Sequence, residues 1–184
     1  DIRPAMASSA AICSGYLREQ NIEPDDRLAT ALLYATRAET RGEEFAHSRQ
    51  DRAIISWLSG FANPEWLAEI ECAPLPRAYF GDLVLALQNT FLYDDAAFCL
   101  LPRAEGAEIV GEVADMLIRC DGVRRVFCGA AIGDGIVISV RTTRDAENAG
   151  HLIRRVLSGL GRGGGHAQRA GGRIADVATE RITE

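Results

Sequence analysis

Between Gly161 and Gly172 the chain runs Gly-Arg-Gly-Gly-Gly-His-Ala-Gln-Arg-Ala-Gly-Gly, six glycines in twelve residues. Each glycine adds to the entropy lost when backbone is ordered. Such a run therefore argues against the interior of a helix or strand and for a place where backbone comes very close to something else. Successive N–H groups without Cβ atoms line concave anion sites, and Arg162, His166 and Arg169 add charged or directional donors beside them. The competing reading is a flexible linker, but linkers pair Gly with Ser and seldom carry His and Arg inside the run. The stretch predicts a phosphate site at Gly163, Gly164, Gly165, His166 and Arg169.

The rest of the composition limits what that phosphate belongs to. With 184 residues, 47% of them apolar, the chain has room for one large domain or two small ones around packed cores. A net charge of −6 argues against a non-specific nucleic-acid binder, which needs a basic surface. A small phosphorylated ligand or a very short oligonucleotide fits, because one local cluster of arginines suffices. Cys13, Cys72, Cys99, Cys120 and Cys128 are odd in number and lack C-x-x-C spacing, which predicts buried thiols in a reducing compartment. No apolar run is long enough to span a membrane and no signal peptide is visible, so the expectation is a cytoplasmic protein. The first residue is Asp rather than Met, and the chain is expected to be part of a longer one.

In order, Pro4 predicts an extended Arg3, and Ser8 or Ser9 caps a first helix with Ala10, Cys13 and Leu17 on one face. Asp26 opens a second helix whose Leu28–Ala35 stretch is apolar on nearly all sides and predicted buried. Ser48 with Asp51 forms a capping box, and Asn63-Pro64-Glu65 starts another helix. Trp57, Phe61 and Trp66 fit helix packing better than base stacking. Pro74 and Pro76 mark a boundary, followed by an amphipathic helix through Tyr79, Phe80, Leu83, Leu87 and Phe91. Residues 97–101 predict a strand, Ile109 to Leu117 a helix terminated by Gly122, and Gly133-Asp134-Gly135 a hairpin between two apolar strands. Leu152 to Leu160 predict a helix leading into the glycine run, and Arg173 to Val177 a last strand. His47 and His151 read as surface or structural residues, and Asp94, Asp95, Glu105 and Glu108 as a solvated loop.

Gly163-Gly164-Gly165-His166, with Ala170-Gly171-Gly172 after it and Ser139-Val140-Arg141-Thr142 before it, resembles the substrate-recognition half of the DHH-family phosphoesterases. That family includes RecJ-like exonucleases, oligoribonucleases, phosphatases of 3′-phosphoadenosine 5′-phosphate and cyclic-dinucleotide phosphodiesterases. The resemblance implies an α/β fold: a helical remnant of a DHH lobe over residues 1–78, a linker helix over 79–93, and a DHH-associated domain with a small mixed sheet over 94–184. It adds Arg141 to the substrate-binding residues. The segment Ala29-Thr30-Ala31-Leu32-Leu33-Tyr34 up to Glu39 is similar to the family's fourth metal-site motif, with Glu39 where an Asp ligand is usual. Glu39 thus reads either as a metal ligand or as a solvated carboxylate at a helix C-terminus.

The D-H-H motif and the early Asp cluster of that family are not in this sequence. No catalytic residue is therefore assigned within it, and Mn²⁺ or Mg²⁺ is expected in the intact parent, with none held tightly by this chain. The resemblance implies a phosphoesterase acting on short oligonucleotides or small nucleotides. The alternative is a nucleotide-binding or regulatory module without hydrolase activity. No membrane partner is expected; a homodimer is among the expected states.

Overall fold

The computed structural model describes residues 2, 3, 6–40, 48–104 and 106–175. The expectations placed on Pro4, His47, Glu105 and the residues after Ala175 lie outside them. The chain divides into two compact units, Asp1–Pro74 and Leu75–Glu184.

The first unit is helical: α1 (Ser9–Glu19), α2 (Asp26–Thr40), α3 (Arg49–Ser59) and α4 (Pro64–Glu71). Local chemistry sets their starts. Ser8 accepts from the Ala11 N–H, Ser48 and Asp51 complete a reciprocal capping box, and Asn63 accepts from Glu65 and Trp66 ahead of Pro64. The core is Ala29, Leu33, Ile54 and Leu58, with Trp57 edge-on to Phe61 beside it. Two sequence expectations are corrected here. α1 buries Ala11, Ser14 and Gly15, leaving Cys13 exposed, and α2 is amphipathic, burying Ala29, Thr30, Leu33 and Thr36 while Leu28 is 44% exposed. A helix with Thr30 and Thr36 turned inward satisfies those hydroxyls on its own preceding carbonyls, of Asp26 and Leu32.

The second unit runs α5 (Arg77–Gln88), β1 (Thr90–Tyr93), β2 (Ala96–Leu101), α6 (Glu108–Leu117), β3 (Arg125–Ile132), β4 (Gly135–Thr142), α7 (Ala149–Val156), β5 (Arg162–Gly165) and β6 (Arg169–Ile174). The strands form one sheet in the order β1-β2-β3-β4-β6-β5, parallel between β2 and β3 and antiparallel elsewhere. It is a mixed sheet, as expected. Alternation along the strands gives it two apolar faces. On one, Ala97, Cys99, Leu101, Val126, Cys128 and Ala130 pack against α6 and Ala86 of α5. On the other, Val140 and Ala170 pack against Leu152, Ile153 and Leu157 of α7.

Several expectations fail in this unit. The helix expected to run through Phe91 ends at Gln88, and Thr90–Tyr93 is a strand paired with β2. Asn89 caps the helix and Asp94 turns the chain at φ 53. α6 stops at Leu117, well before Gly122, and the last strand begins at Arg169 rather than Arg173. Only Cys99 and Cys128 are buried; Cys13, Cys72 and Cys120 are exposed. Asp94 is exposed, but Asp95 is not fully solvated: it pairs with Arg124 and Arg125. The glycine run, excluded from strands by propensity, is two of them.

Candidate functional site

The glycines of β5 and β6 serve opposite faces of the sheet. Gly163 pairs with Gly172, on the face covered by α7. A Cβ at Gly172 would stand 2.3 Å from Leu157 Cδ1, and one at Gly163 2.9 Å from Ile153 Cγ1. Their lack of side chains lets α7 lie directly on the hairpin. Close packing, worth more than intrinsic strand preference, explains why a run with poor propensity is nevertheless β.

Gly164 pairs with Gly171, and Gly171 with Ser139, which pairs in turn with Cys128. That row belongs to the other face, the one α6 covers farther along. Here nothing crowds the glycines: a Cβ at Gly171 would meet only the Ile138 carbonyl at 3.4 Å, and one at Gly164 only Arg154 Nη1 at 3.9 Å. Two residues along in one direction the same face carries the facing pair Arg141 and Arg169, and two residues along in the other it carries Arg173 opposite Arg162. Four residues of strand put these arginine rows about 13 Å apart. The result is a glycine floor with two guanidinium groups at each end.

Arg141 is held rigidly. Its Nε donates to Asp115 Oδ1 at 2.6 Å, Nη1 to Ser139 Oγ at 2.7 Å and to the Val140 carbonyl at 3.1 Å, and Nη2 to Asp115 Oδ2 at 3.3 Å and the Gly111 carbonyl at 3.5 Å. Its side chain is 13% exposed. Arg169 Nε lies 3.8 Å from the same Asp115 oxygen. At the far end Arg173 reaches Asp134 at 2.8 Å, and Arg162 is exposed.

The hairpin turn is tied down on both sides. The His166 N–H donates to the Arg169 carbonyl at 2.7 Å, and Thr142 donates from its N–H to Gln168 and from its hydroxyl to Ala167. The first amides of α7, Ala149 and Gly150, donate to the carbonyls of Ala167 and His166. The His166 amide and the first two amides of α7 are thus used inside the protein. His166 is exposed at the turn next to Arg169. The structure thus gathers Arg141, Gly164, Arg169 and the backbone of His166 at one place, and puts Gly163 on the packed face. Gly165 adjoins them, where a Cβ would strike the Arg169 carbonyl.

Asp115 was missed by sequence reasoning. Nothing local marks it, although an arginine on a buried strand calls for a carboxylate somewhere nearby.

Over 98% of its length the chain superposes on 55% of an exopolyphosphatase-related protein from Bacteroides fragilis, with a TM-score of 0.76 at 16% identity. The two share a fold. The exopolyphosphatase-related protein contains both units described above within a longer chain. A looser correspondence, TM-score 0.44 at 17% identity over 97% of this chain and 26% of the other, is found with RecJ from Thermus thermophilus, solved with Mn²⁺. In sequence, the chain is 27% identical over 175 residues to an uncharacterised protein of Methanocaldococcus jannaschii, covering 95% of this chain and 36% of the relative. The chain thus spans about a third of that relative and about half of the exopolyphosphatase-related protein. No protein-family model matches the chain.

Glu39 is exposed in the last turn of α2, in the first unit, whereas the glycine floor is in the second. Among the described residues no three His, Cys, Asp or Glu side chains come together in a way that holds a metal ion. The described residues therefore do not make up a metal site. Among them, too, no helix is long and apolar enough to cross a membrane.

Proposed function

We propose that this chain is the substrate-recognition part of a DHH-family phosphoesterase, and that it holds a phosphate of a short oligonucleotide or small nucleotide over the glycine floor. The observation that carries the reading is the bare row Gly164–Gly171 bordered by Arg141 and Arg169 on one face of the sheet. The fold shared with the exopolyphosphatase-related protein supports a DHH-family relationship, and that protein's name concerns phosphate chemistry. In this role Arg141 and Arg169 bind and orient the phosphate, His166 donates from the turn, and the glycines let the ligand approach the backbone. Metal chemistry is assigned to the longer protein, where a bound Mn²⁺ or Mg²⁺ would supply the activated nucleophile, and Glu39 is the carboxylate of this chain proposed to help hold it.

Charge-assisted hydrogen bonds are worth about 1.5–3 kcal/mol each. Arg141→Ala or His166→Ala is therefore expected to weaken binding of a phosphorylated dinucleotide by about ten- to a hundredfold in calorimetry. Unchanged affinity in both variants would remove the site from this face of the sheet.

A further inference from the structure

We infer that the Asp115 carboxylate occupies the anion position of the arginine pair and is the group an incoming phosphate displaces. The inference rests on the recognition site proposed above. An arginine side chain has five N–H donors. Arg141 uses all of them: two on Asp115, one on Ser139 and two on the carbonyls of Val140 and Gly111. A phosphate reaches Arg141 by replacing one of these partners. Ser139 and Val140 are strand neighbours at 7% and 0% exposure, and the Gly111 carbonyl is fixed in the backbone of α6, so these three have nowhere to go. Asp115, with a side chain 41% exposed, does.

Position on the helix points the same way. Asp115 is in the last turn of α6, where the negative pole of the helix opposes a carboxylate. It is held there by Arg141 at 2.6 Å, with Arg169 at 3.8 Å. Released into water, it loses those contacts and escapes the helix pole. The same carboxylate compensates the largely buried Arg141 guanidinium when no ligand is present, which keeps that side chain in place without leaving its charge unpaired. Asp115 is therefore a built-in competitor, and it lowers the affinity for any single anion.

Titration with inorganic phosphate, followed through the arginine Nε–H resonances, tests this. Asp115→Asn is expected to bind phosphate about tenfold more tightly than the unaltered chain, because a neutral amide competes less well than a carboxylate for a guanidinium. In the unaltered chain the Arg141 Nε–H resonance, assigned by its loss in Arg141→Lys, should move on phosphate addition as Asp115 departs. If Asp115→Asn binds equally or more weakly while Arg141→Ala abolishes binding, Asp115 is an orienting anchor; displacement is overturned and the recognition site stands. If neither the unaltered chain nor Asp115→Asn binds, both are overturned. Should Asp115→Asn not fold, the unaltered chain decides: an Arg141 resonance that stays still while that of Arg169 moves sinks the inference.

Discussion

Gly172 and Gly171 are neighbours with opposite tasks. A methyl group at Gly172 drives into Leu157, which is 1% exposed, and stands 2.9 Å from the Arg162 carbonyl, so neither neighbour yields easily. Gly172→Ala is expected to cost about 1–3 kcal/mol in urea denaturation, the range for overpacking a filled core. Gly171→Ala places its methyl over the floor, in ordinary contact with Ile138, and stability should stay within about 0.5 kcal/mol. Phosphate binding should weaken in that variant, since the methyl takes the space the ligand needs. Equal loss of stability in the two variants would mean that the face carrying Gly171 is as closely packed as the other. At this scale the motif residues were legible because glycine, arginine and histidine have distinctive chemistry. Asp115 was not, because its partners lie on β4 and β6, far away in sequence.

Elements were legible where short-range chemistry decides them. The capping box of α3, the Asn63 cap of α4 and the β3–β4 turn, with Gly133 at φ 61, follow from residues within one turn of each other. β1 was hidden because Leu87 and Phe91 continue the helical spacing of Tyr79 and Leu83. What ends α5 is Asn89 as cap and Thr90, whose hydroxyl bonds back to Ala86 at 2.7 Å before the chain extends. β5 and β6 were hidden because packing against α7 overrides their propensity. The contact between α5 and α6 makes a pH prediction. Tyr79 donates to Glu112, and that hydrogen bond, with burial and the carboxylate charge adding to it, raises the Tyr79 pKa above its ordinary value of 10.0. A raised folded-state pKa gives stability that is fully present below the unfolded value and is lost as pH rises through the folded one. The stability difference between the unaltered chain and Tyr79→Phe should thus be flat up to about pH 10 and fall above it. A difference that changes in the neutral range would assign the coupling to other groups.

Each unit of the molecule has its own core: the first around Leu33 and Leu58, the second around both faces of the sheet. The glycine floor belongs wholly to the second. On the function proposed above recognition and metal chemistry are separable, and the purified 184-residue chain is expected to bind phosphate yet show no manganese-dependent hydrolysis of short RNA, cyclic dinucleotides or 3′-phosphoadenosine 5′-phosphate. The comparison is with a longer protein that carries a D-H-H motif, assayed side by side. Robust turnover by this chain would return catalysis to its own carboxylates. The strand order has a further consequence for how the site comes into being. β1–β2, β3–β4 and β5–β6 are hairpins between consecutive strands, but Arg141 meets Arg169 only when β6 returns to β4 after α7 and β5 have been threaded between them. Closing that loop costs entropy that the β4–β6 pairing and the packing of α7 on bare glycines repay together. The amides of β5 and β6 are accordingly expected to exchange with solvent sooner than those of β3, and hydrogen exchange that is equal in the two hairpins would show that the sheet opens as one unit.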